Sequence, residues 1–593
     1  MAEKTTLDLY RNEYEAPRPD HYTHVFPGGK RVWSTEQFFE ATAGLAEALA
    51  DLGIGKGDRV MLLSDNRPEW HQADVAIADL GAVSVPIYGT LTPPQVAYQA
   101  NDSGAVAAIV ESAAQLEKFL AIRKETPDLK HLILLEGEAP DGVLSWPELV
   151  SAHSGKEAGE RFWERAKQVT EDDLLTLIYT SGTTGEPKGA MLTHRNLVQN
   201  VSASIKRAPL EASDLGLEFL PLCHVFERMV GYIYMKAACR KAYCSVYHVG
   251  DLVAGIKPTV FASVPRFYEK VYDKIQEKVA SGSGTKQALF AWAVEAGKAA
   301  SKARLAGKSL GLVAGLKHSL ADSLVLSKIR EALGGRVRLC ISGGAPLPLF
   351  LGEFYHAMGI YLMEGYGLTE TSPVIAVNGY APGELKLGTV GRPLENLEVR
   401  IADDGEVCVK GPSVMQGYWN KPDKTKEVFD EDGFFHTGDI GEIDADGFLK
   451  ITDRKKDLIV TAGGKNVAPQ PIENEFKRSP YVDNAVLIGD KRPYIVALIS
   501  PNTEELESWA KGQGIEFESV EELTRHPKVI ELYAKVLENV NAGLARYEQV
   551  KKFRVLPMML SVEEGQLTPT LKVKRRVVEK QFAGLIEAMY NES

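Results

Sequence analysis

The sequence is short of positive charge and of cysteine, and it has no long apolar run. With 68 Lys and Arg against 80 Asp and Glu, the 593 residues carry a net charge of -12. That sign excludes general nucleic-acid binding, which needs a basic face. No stretch reaches the roughly 18 consecutive apolar residues of a membrane-spanning helix. Met1 to Asp20 mixes acids, bases and prolines around no apolar centre and reads as no secretory signal. The five cysteines, Cys223, Cys239, Cys244, Cys340 and Cys408, match neither zinc spacing nor a disulfide framework. Buried free thiols in a reducing cytoplasm are expected. What remains is ordinary globular composition, 44% hydrophobic and 25% charged, in a chain too long for one core.

Helix and strand patterns alternate through the first third. Phe38, Phe39, Ala43, Leu45, Ala46, Leu49 and Leu52 form a helical stripe over 35–54, followed by a strand from Arg59 to Leu63. Helix 70–81, a strand from Val83 to Ile87, a helix-strand pair over 94–110, helix 113–121 and a strand from His131 to Leu135 continue the series. Such alternation predicts an α/β fold with a largely parallel sheet covered on both faces. Ligands of such sheets lie at the C-terminal ends of strands.

The run Leu174 to Ile178 reads as one of these strands, and it leads into Thr180, Ser181, Gly182, Thr183, Thr184, Gly185 and Lys188. The glycines let the backbone gather its N–H groups into a nest for phosphate oxygens, and Lys188 adds a cation. The P-loop pattern is not met, because Lys188 follows a proline and no Ser or Thr follows it. Leu192 to Ser204 reads as a helix whose N-terminus would point at these phosphates. Two later strands, Arg336 to Ile341 and Ile360 to Met363, end in Ser342-Gly343-Gly344-Ala345 and Glu364-Gly365-Tyr366-Gly367-Leu368-Thr369-Glu370. His436-Thr437-Gly438-Asp439 and the charge cluster Asp453-Arg454-Lys455-Lys456-Asp457 follow. Beyond them lie the glycine turn Gly463-Gly464-Lys465, a small α+β unit and the basic run Thr570-Leu571-Lys572-Val573-Lys574.

These motifs, in this order over about residues 30–580, resemble the adenylate-forming superfamily, and most closely its long-chain fatty acyl-CoA synthetases. The resemblance implies a large N-terminal domain of mixed and parallel sheets over 1–452, a hinge at 453–457 and a small mobile α+β domain over 458–593. It implies activation of a long-chain fatty acid by ATP, with Mg²⁺, through an acyl-AMP that is passed to CoA. In that family the 180–188 loop binds phosphate, and Gly343, Gly344, Ala345, Tyr366 and Gly367 enclose adenine. Thr369 donates to the α-phosphate, Glu370 holds Mg²⁺, and Asp439 and Arg454 hold the ribose. Lys572 is the catalytic lysine; its preceding Leu571 departs from the usual glycine. Lys456 matches the hinge pivot, and Gly463, Gly464 and Lys465 the CoA channel. His224, Phe226 and Val264 match the acyl pocket, and no Asp in 221–232 is placed to hold a substrate ammonium.

The segment 266–330 has twelve bases against five acids, a local charge of +7, with Phe290, Trp292 and Val294 among them. It reads either as a solvated helical hairpin on the body of the protein or as a basic, aromatic-bearing surface for an anionic membrane. The protein is then expected in the cytoplasm, peripheral on the inner face of a membrane in the second case, and the resemblance is compatible with a homodimer. A fatty acyl-AMP ligase serving a carrier protein is the competing enzyme reading. A non-catalytic fatty-acid-binding scaffold is the competing non-enzyme reading, against which stand Lys572, Glu370 and Asp439.

Overall fold

The computed structural model describes residues 3–180, 186–463, 465–561, 563–568 and 573–591. Its chain divides into two compact units. The first is Met1–Arg400 with Cys408–His436 and Ala445–Leu449, and the second is Ile401–Val407 with Thr437–Asp444 and Lys450–Ser593.

The first unit contains two sheets. Leu144–Ser145, His131–Leu134, Ala105–Val110, Arg59–Leu63, Val83–Pro86 and Leu174–Thr180 lie side by side in that order and are parallel. Lys188–Thr193 closes this sheet in antiparallel register. Side chains alternate across it: Val60 and Leu62 enter one core, Met61 and Leu63 the other, as a two-residue period requires. The second sheet has a parallel centre made of Tyr361–Gly367, Leu339–Ser342, Val260–Ser263, Leu215–Glu218, Arg240–Tyr243 and Tyr22–Phe26. Its strand Val260–Ser263 is buried throughout, which is why it reads as an uninterrupted apolar run.

Local signals start and stop the helices. Ser34 caps Thr35–Asp51 in a reciprocal box with Gln37, satisfying two N–H groups that the helix leaves open. Pro68, Pro93 and Pro265 open their helices at the position where no N–H is needed. Gly104, at φ 63°, ends Pro93–Ser103 in the left-handed region.

One buried cation ties two helices to the first sheet. Arg228, on helix Val225–Lys236, and Asp74, on helix Pro68–Asp79, are 0% and 1% exposed at the side chain. Arg228 donates to both Asp74 oxygens at 3.2 and 2.5 Å, to Thr176 at 2.7 Å, to Ser84 at 2.9 Å and to Tyr232 at 3.2 Å. The Tyr232 hydroxyl donates to Asp74 at 2.5 Å. A charge this deep is tolerated only when its donors are fully used.

Two expectations are corrected. The helix after the phosphate loop does not begin there, because Lys188–Thr193 is a strand and the helix is His194–Arg207. Leu174 pairs with Thr193 and Thr180 with Lys188. The helix N-terminus therefore stands at the far end of the hairpin, roughly 17 Å along the strand from the loop, and does not point at the loop as expected. Within 266–330 the chain is helical, as Pro265–Ala280, Gly284–Leu305, Leu312–Ala321, a π-helical turn Asp322–Leu326 and Ser327–Arg330. Phe290, Trp292 and Val294, however, pack against the core and form no outward aromatic face. Gly297 permits this packing, since a Cβ there would meet the Ala357 carbonyl oxygen at 2.2 Å.

In the second unit, Val482–Ile488, Ile495–Pro501 and Val550–Val555 form a three-stranded sheet. Ala485 and Leu487 face a core shared with Ile472, Phe476 and Tyr533, and Val486 and Ile488 face one shared with Val578 and Ile586. All five cysteines are buried, and no disulfide joins any of them. No helix among the described residues is long and apolar enough to cross a membrane.

Candidate active site

The hairpin of Leu174–Thr180 and Lys188–Thr193 flanks the glycine-rich stretch that was expected to bind phosphate. Ser181, Gly182, Thr183, Thr184 and Gly185 lie outside the described residues. Their flanks are held from one helix. The Tyr179 hydroxyl donates to Asp102 at 2.6 Å, and the Tyr98 hydroxyl donates to the Pro187 carbonyl at 2.9 Å. The Thr180 hydroxyl donates to the Lys188 carbonyl at 3.4 Å.

The Lys188 ammonium lies over the Tyr418 ring, 4.3 Å from its centroid, a cation–π arrangement. The Tyr418 hydroxyl donates to Glu370 Oε1 at 2.8 Å. Burial, reinforced by the Glu370 charge, pushes the Tyr418 phenol well above its ordinary range, so it stays a donor. Its backbone is fixed by a bridge to Ala190 and by the Trp419 N–H, which donates to the Gly189 carbonyl at 2.8 Å. Tyr418 thus connects the cation of one motif to the carboxylate of another and belongs to neither. Glu370 and Thr369 occupy a single 3-10 turn, Thr369–Thr371. The Glu370 carboxylate, oriented by Tyr418 and only half-buried, is a hard oxygen donor of the kind Mg²⁺ takes.

A second group forms where the Val260–Ser263 and Leu339–Ser342 strands end. The Phe226 ring lies against Gly343, where a Cβ would stand 2.9 Å from the Phe226 ring, and Val264 lies 3.6 Å from the corresponding position at Gly344. Gly344 has φ +79°, which a side chain rarely adopts. Four residues matched to an acyl pocket and an adenine loop therefore share one surface, with Ala345 next in chain. His224 has a definite structural task, because its Nδ1 accepts the Phe226 N–H at 3.2 Å as the cap of helix Val225–Lys236. Gly367 is required by space, since a Cβ would meet the Pro373 carbonyl oxygen at 1.9 Å. Tyr366 precedes it on the strand Tyr361–Gly367 and packs partly against the core.

Glu364, on the same strand, accepts the Leu347 N–H at 2.9 Å. The residue is half-buried as a whole, yet its enclosed carboxyl is pushed by burial up to about 8. Sequence reading assigned Glu364 no role. A glutamate before a Gly-Tyr-Gly turn looks solvated until the turn at Pro346-Leu347 is seen to close over it.

In the second unit, Arg454 Nε lies 3.4 Å from Asp439 Oδ1, and Asp439 is 5% exposed. The two residues matched to ribose are therefore neighbours. Lys455 bridges Asp404 and Glu406 at 2.6 and 2.9 Å, and its N–H donates to the Gly438 carbonyl at 2.9 Å. Asp453 is buried, accepting the Arg454 N–H at 2.6 Å and the Gln470 N–H at 3.1 Å. It thereby fixes the first turn of helix Pro469–Phe476. Burial lowers the Lys456 ammonium below its ordinary value, with Arg454 adding to the effect. Gly463 and Lys465 are exposed on a turn in which the Thr461 N–H donates to the Lys465 carbonyl at 3.0 Å. Gly464 and Lys572 lie outside the described residues. Leu567 and Val573 form an antiparallel bridge, and Arg575 donates to Glu473 at 2.7 and 3.1 Å.

A family profile described as AMP-binding enzyme matches residues 13–419, and one described as AMP-binding enzyme C-terminal domain matches 456–593. The long-chain-fatty-acid-CoA ligase FadD15 of Mycobacterium bovis is 39% identical over 98% of this chain and 96% of its own. Long-chain-fatty-acid-CoA ligase 5 of Rattus norvegicus is 34% identical over 93% of this chain and 84% of its own. Among solved structures, the anthranilate CoA ligase AuaEII with anthranoyl-AMP has TM-score 0.75 at 21% identity, covering 99% of each chain. The fold is that of these adenylate-forming enzymes.

Proposed function

Since the chain belongs to the AMP-binding enzyme family, we propose that it is an AMP-forming long-chain fatty acid–CoA ligase. In the first step the fatty carboxylate attacks the α-phosphorus of ATP, the bond to the bridging oxygen breaks, and pyrophosphate leaves. In the second the CoA thiol attacks the acyl carbon, loses its proton, and AMP leaves with the bonding pair. The observation that carries this reading is the meeting of Phe226, Val264 and Gly343-Gly344 at the ends of two parallel strands. An apolar ring against a bare backbone suits an acyl chain on one side and a flat base on the other.

In this reading Gly343, Gly344, Ala345, Tyr366 and Gly367 bind adenine. Thr369, the loop 180–188 and Lys572 donate to phosphate oxygens where negative charge gathers, and each such group is worth about 10²–10³ in rate. Glu370 would hold Mg²⁺, which when bound neutralises phosphate charge. Tyr418 orients that carboxylate, and Lys188 is steered by the Tyr418 ring. Asp439 and Arg454 receive the ribose hydroxyls. We assign residues 453–457 as the hinge, with Lys456 its pivot, and Gly463 to Lys465 to the CoA channel. We further assign the basic segment 266–330 to contact with an anionic membrane surface.

The test is product analysis with palmitate, ATP and Mg²⁺, with and without CoA. Palmitoyl-CoA with stoichiometric AMP is expected. Palmitoyl-AMP that persists after CoA is added would instead assign a carrier-protein acceptor.

A further inference from the structure

On helix Leu312–Ala321 and the π-helical turn Asp322–Leu326, the residues Leu312, Val313, Leu316, Leu320 and Leu324 are 89, 70, 74, 54 and 43% exposed. At about 100° per residue, the first four share an arc of about 100°, while Ala321 falls on the far side. Ala321 and Leu326 are fully buried, and Leu305, Val325 and Ile329 pack against the same core. The element is thus anchored by one side and presents a leucine ridge on the other. An amphipathic helix normally turns its apolar stripe inward. A contiguous apolar patch left outside marks a surface that meets something.

The surrounding charge selects what it meets. Lys302, Lys308, Lys317 and Lys328 are exposed, and none has an ion pair among the described residues. The segment 266–330 carries +7 within a chain of -12, which leaves -19 on the remainder. A second copy docking here ridge to ridge would set these lysines against their own kind. A layer of acidic lipid offers both what the leucines and what the lysines lack, an apolar interior under a negative surface.

We propose that the ridge from Leu312 to Leu324 inserts into the interface of an anionic bilayer, with Lys302, Lys308, Lys317 and Lys328 at the level of the headgroups. This rests on the membrane contact assigned above and changes its character, from charge-driven approach to insertion of one helix face. The apolar contribution persists when salt screens the lysines.

The test is co-sedimentation of the full chain with vesicles of phosphatidylcholine alone, or of phosphatidylcholine and phosphatidylglycerol in equal amounts, at low and high salt. Binding to the mixed vesicles is expected, partly retained at high salt. It should fall at least about tenfold in the double variant Leu312→Asp/Leu316→Asp. Lys308→Gln/Lys317→Gln/Lys328→Gln should weaken it about tenfold at low salt and little at high salt. Both variants should convert micellar palmitate at the wild-type rate, which shows that they fold. Equal binding by the leucine variant overturns the ridge and leaves the charge-driven contact standing. Absence of wild-type binding to either vesicle overturns both. A dimer that Leu312→Asp/Leu316→Asp dissolves, without vesicle binding, overturns the proposal in favour of a second copy.

Discussion

The Tyr418 hydroxyl donates to Glu370 at 2.8 Å across 48 residues of sequence, and the Lys188 ammonium rests on the same ring. Tyr418→Phe keeps the ring under Lys188 and removes only the donor to the carboxylate. A hydrogen bond to a charged group contributes about 1.5–3 kcal/mol. Adenylation should therefore slow about tenfold or more, with a raised Mg²⁺ requirement and an unchanged melting temperature to within a few degrees. ATP–pyrophosphate exchange across a Mg²⁺ titration measures it. A wild-type Mg²⁺ dependence would remove Tyr418 from the site.

Gly343→Ala places a methyl group 2.9 Å from the Phe226 ring. The ring must shift, at a cost of about 1–3 kcal/mol typical of overpacking. The variant should fold and lose about tenfold or more in kcat/KM for palmitate. Phe226→Ala in the same chain should relieve the clash, so the two changes should be strongly non-additive. Additive effects in a double-mutant cycle would show that the ring and the glycine do not share one surface in solution.

Asp439→Asn keeps the shape of the side chain proposed to hold the ribose and removes its charge beside Arg454, 3.4 Å away. KM for ATP should rise about tenfold while that for palmitate stays close to wild type. Initial-rate kinetics with each substrate varied in turn distinguish this from a general loss.

Glu364 gives a pH dependence of stability with a definite sign. Its carboxyl is raised by burial from 4.5 to about 8. The native state holds the proton more tightly than the unfolded chain, so its stabilising contribution is complete below about 4.5. That contribution is lost as pH rises through about 8, with a ceiling near 1.4 kcal/mol per pH unit. Glu364→Gln, which keeps the acceptor for the Leu347 N–H, should flatten this slope. Thermal melts from about pH 6 to about pH 9 compare the two; parallel curves would mean that the carboxyl is already ionised at neutral pH.

The order of motifs was legible because parallel strands buried on both faces read as apolar runs, as Ala105–Val110 and Val260–Ser263 do. Ligand-facing turns follow such strands directly in the chain. The strand Lys188–Thr193 was not legible, because the hairpin partner that holds it extended lies on the far side of the loop. The edge hairpin Tyr22–Phe26 with Gly29–Trp33 lacked a signal of its own, since Gly29 to Val32 are exposed and carry Lys30 and Arg31. Tyr418 escaped for another reason: its contacts to Glu370 and Lys188 exist only after the chain has folded. Asp453 looked like part of a solvated charge cluster, and only the helix it caps explains its burial.

The Arg228 network has an evolutionary consequence. Arg228, Asp74, Ser84 and Thr176 come from four separate stretches of the chain, yet they share one buried charge. Removing one charged partner strands the other, at about 3–5 kcal/mol, whereas replacing the pair together by apolar groups is close to neutral. Each position is therefore walled off from single-step change and open only to coordinated change. Among descendants of this fold the four should drift as a block, while exposed positions diversify around them.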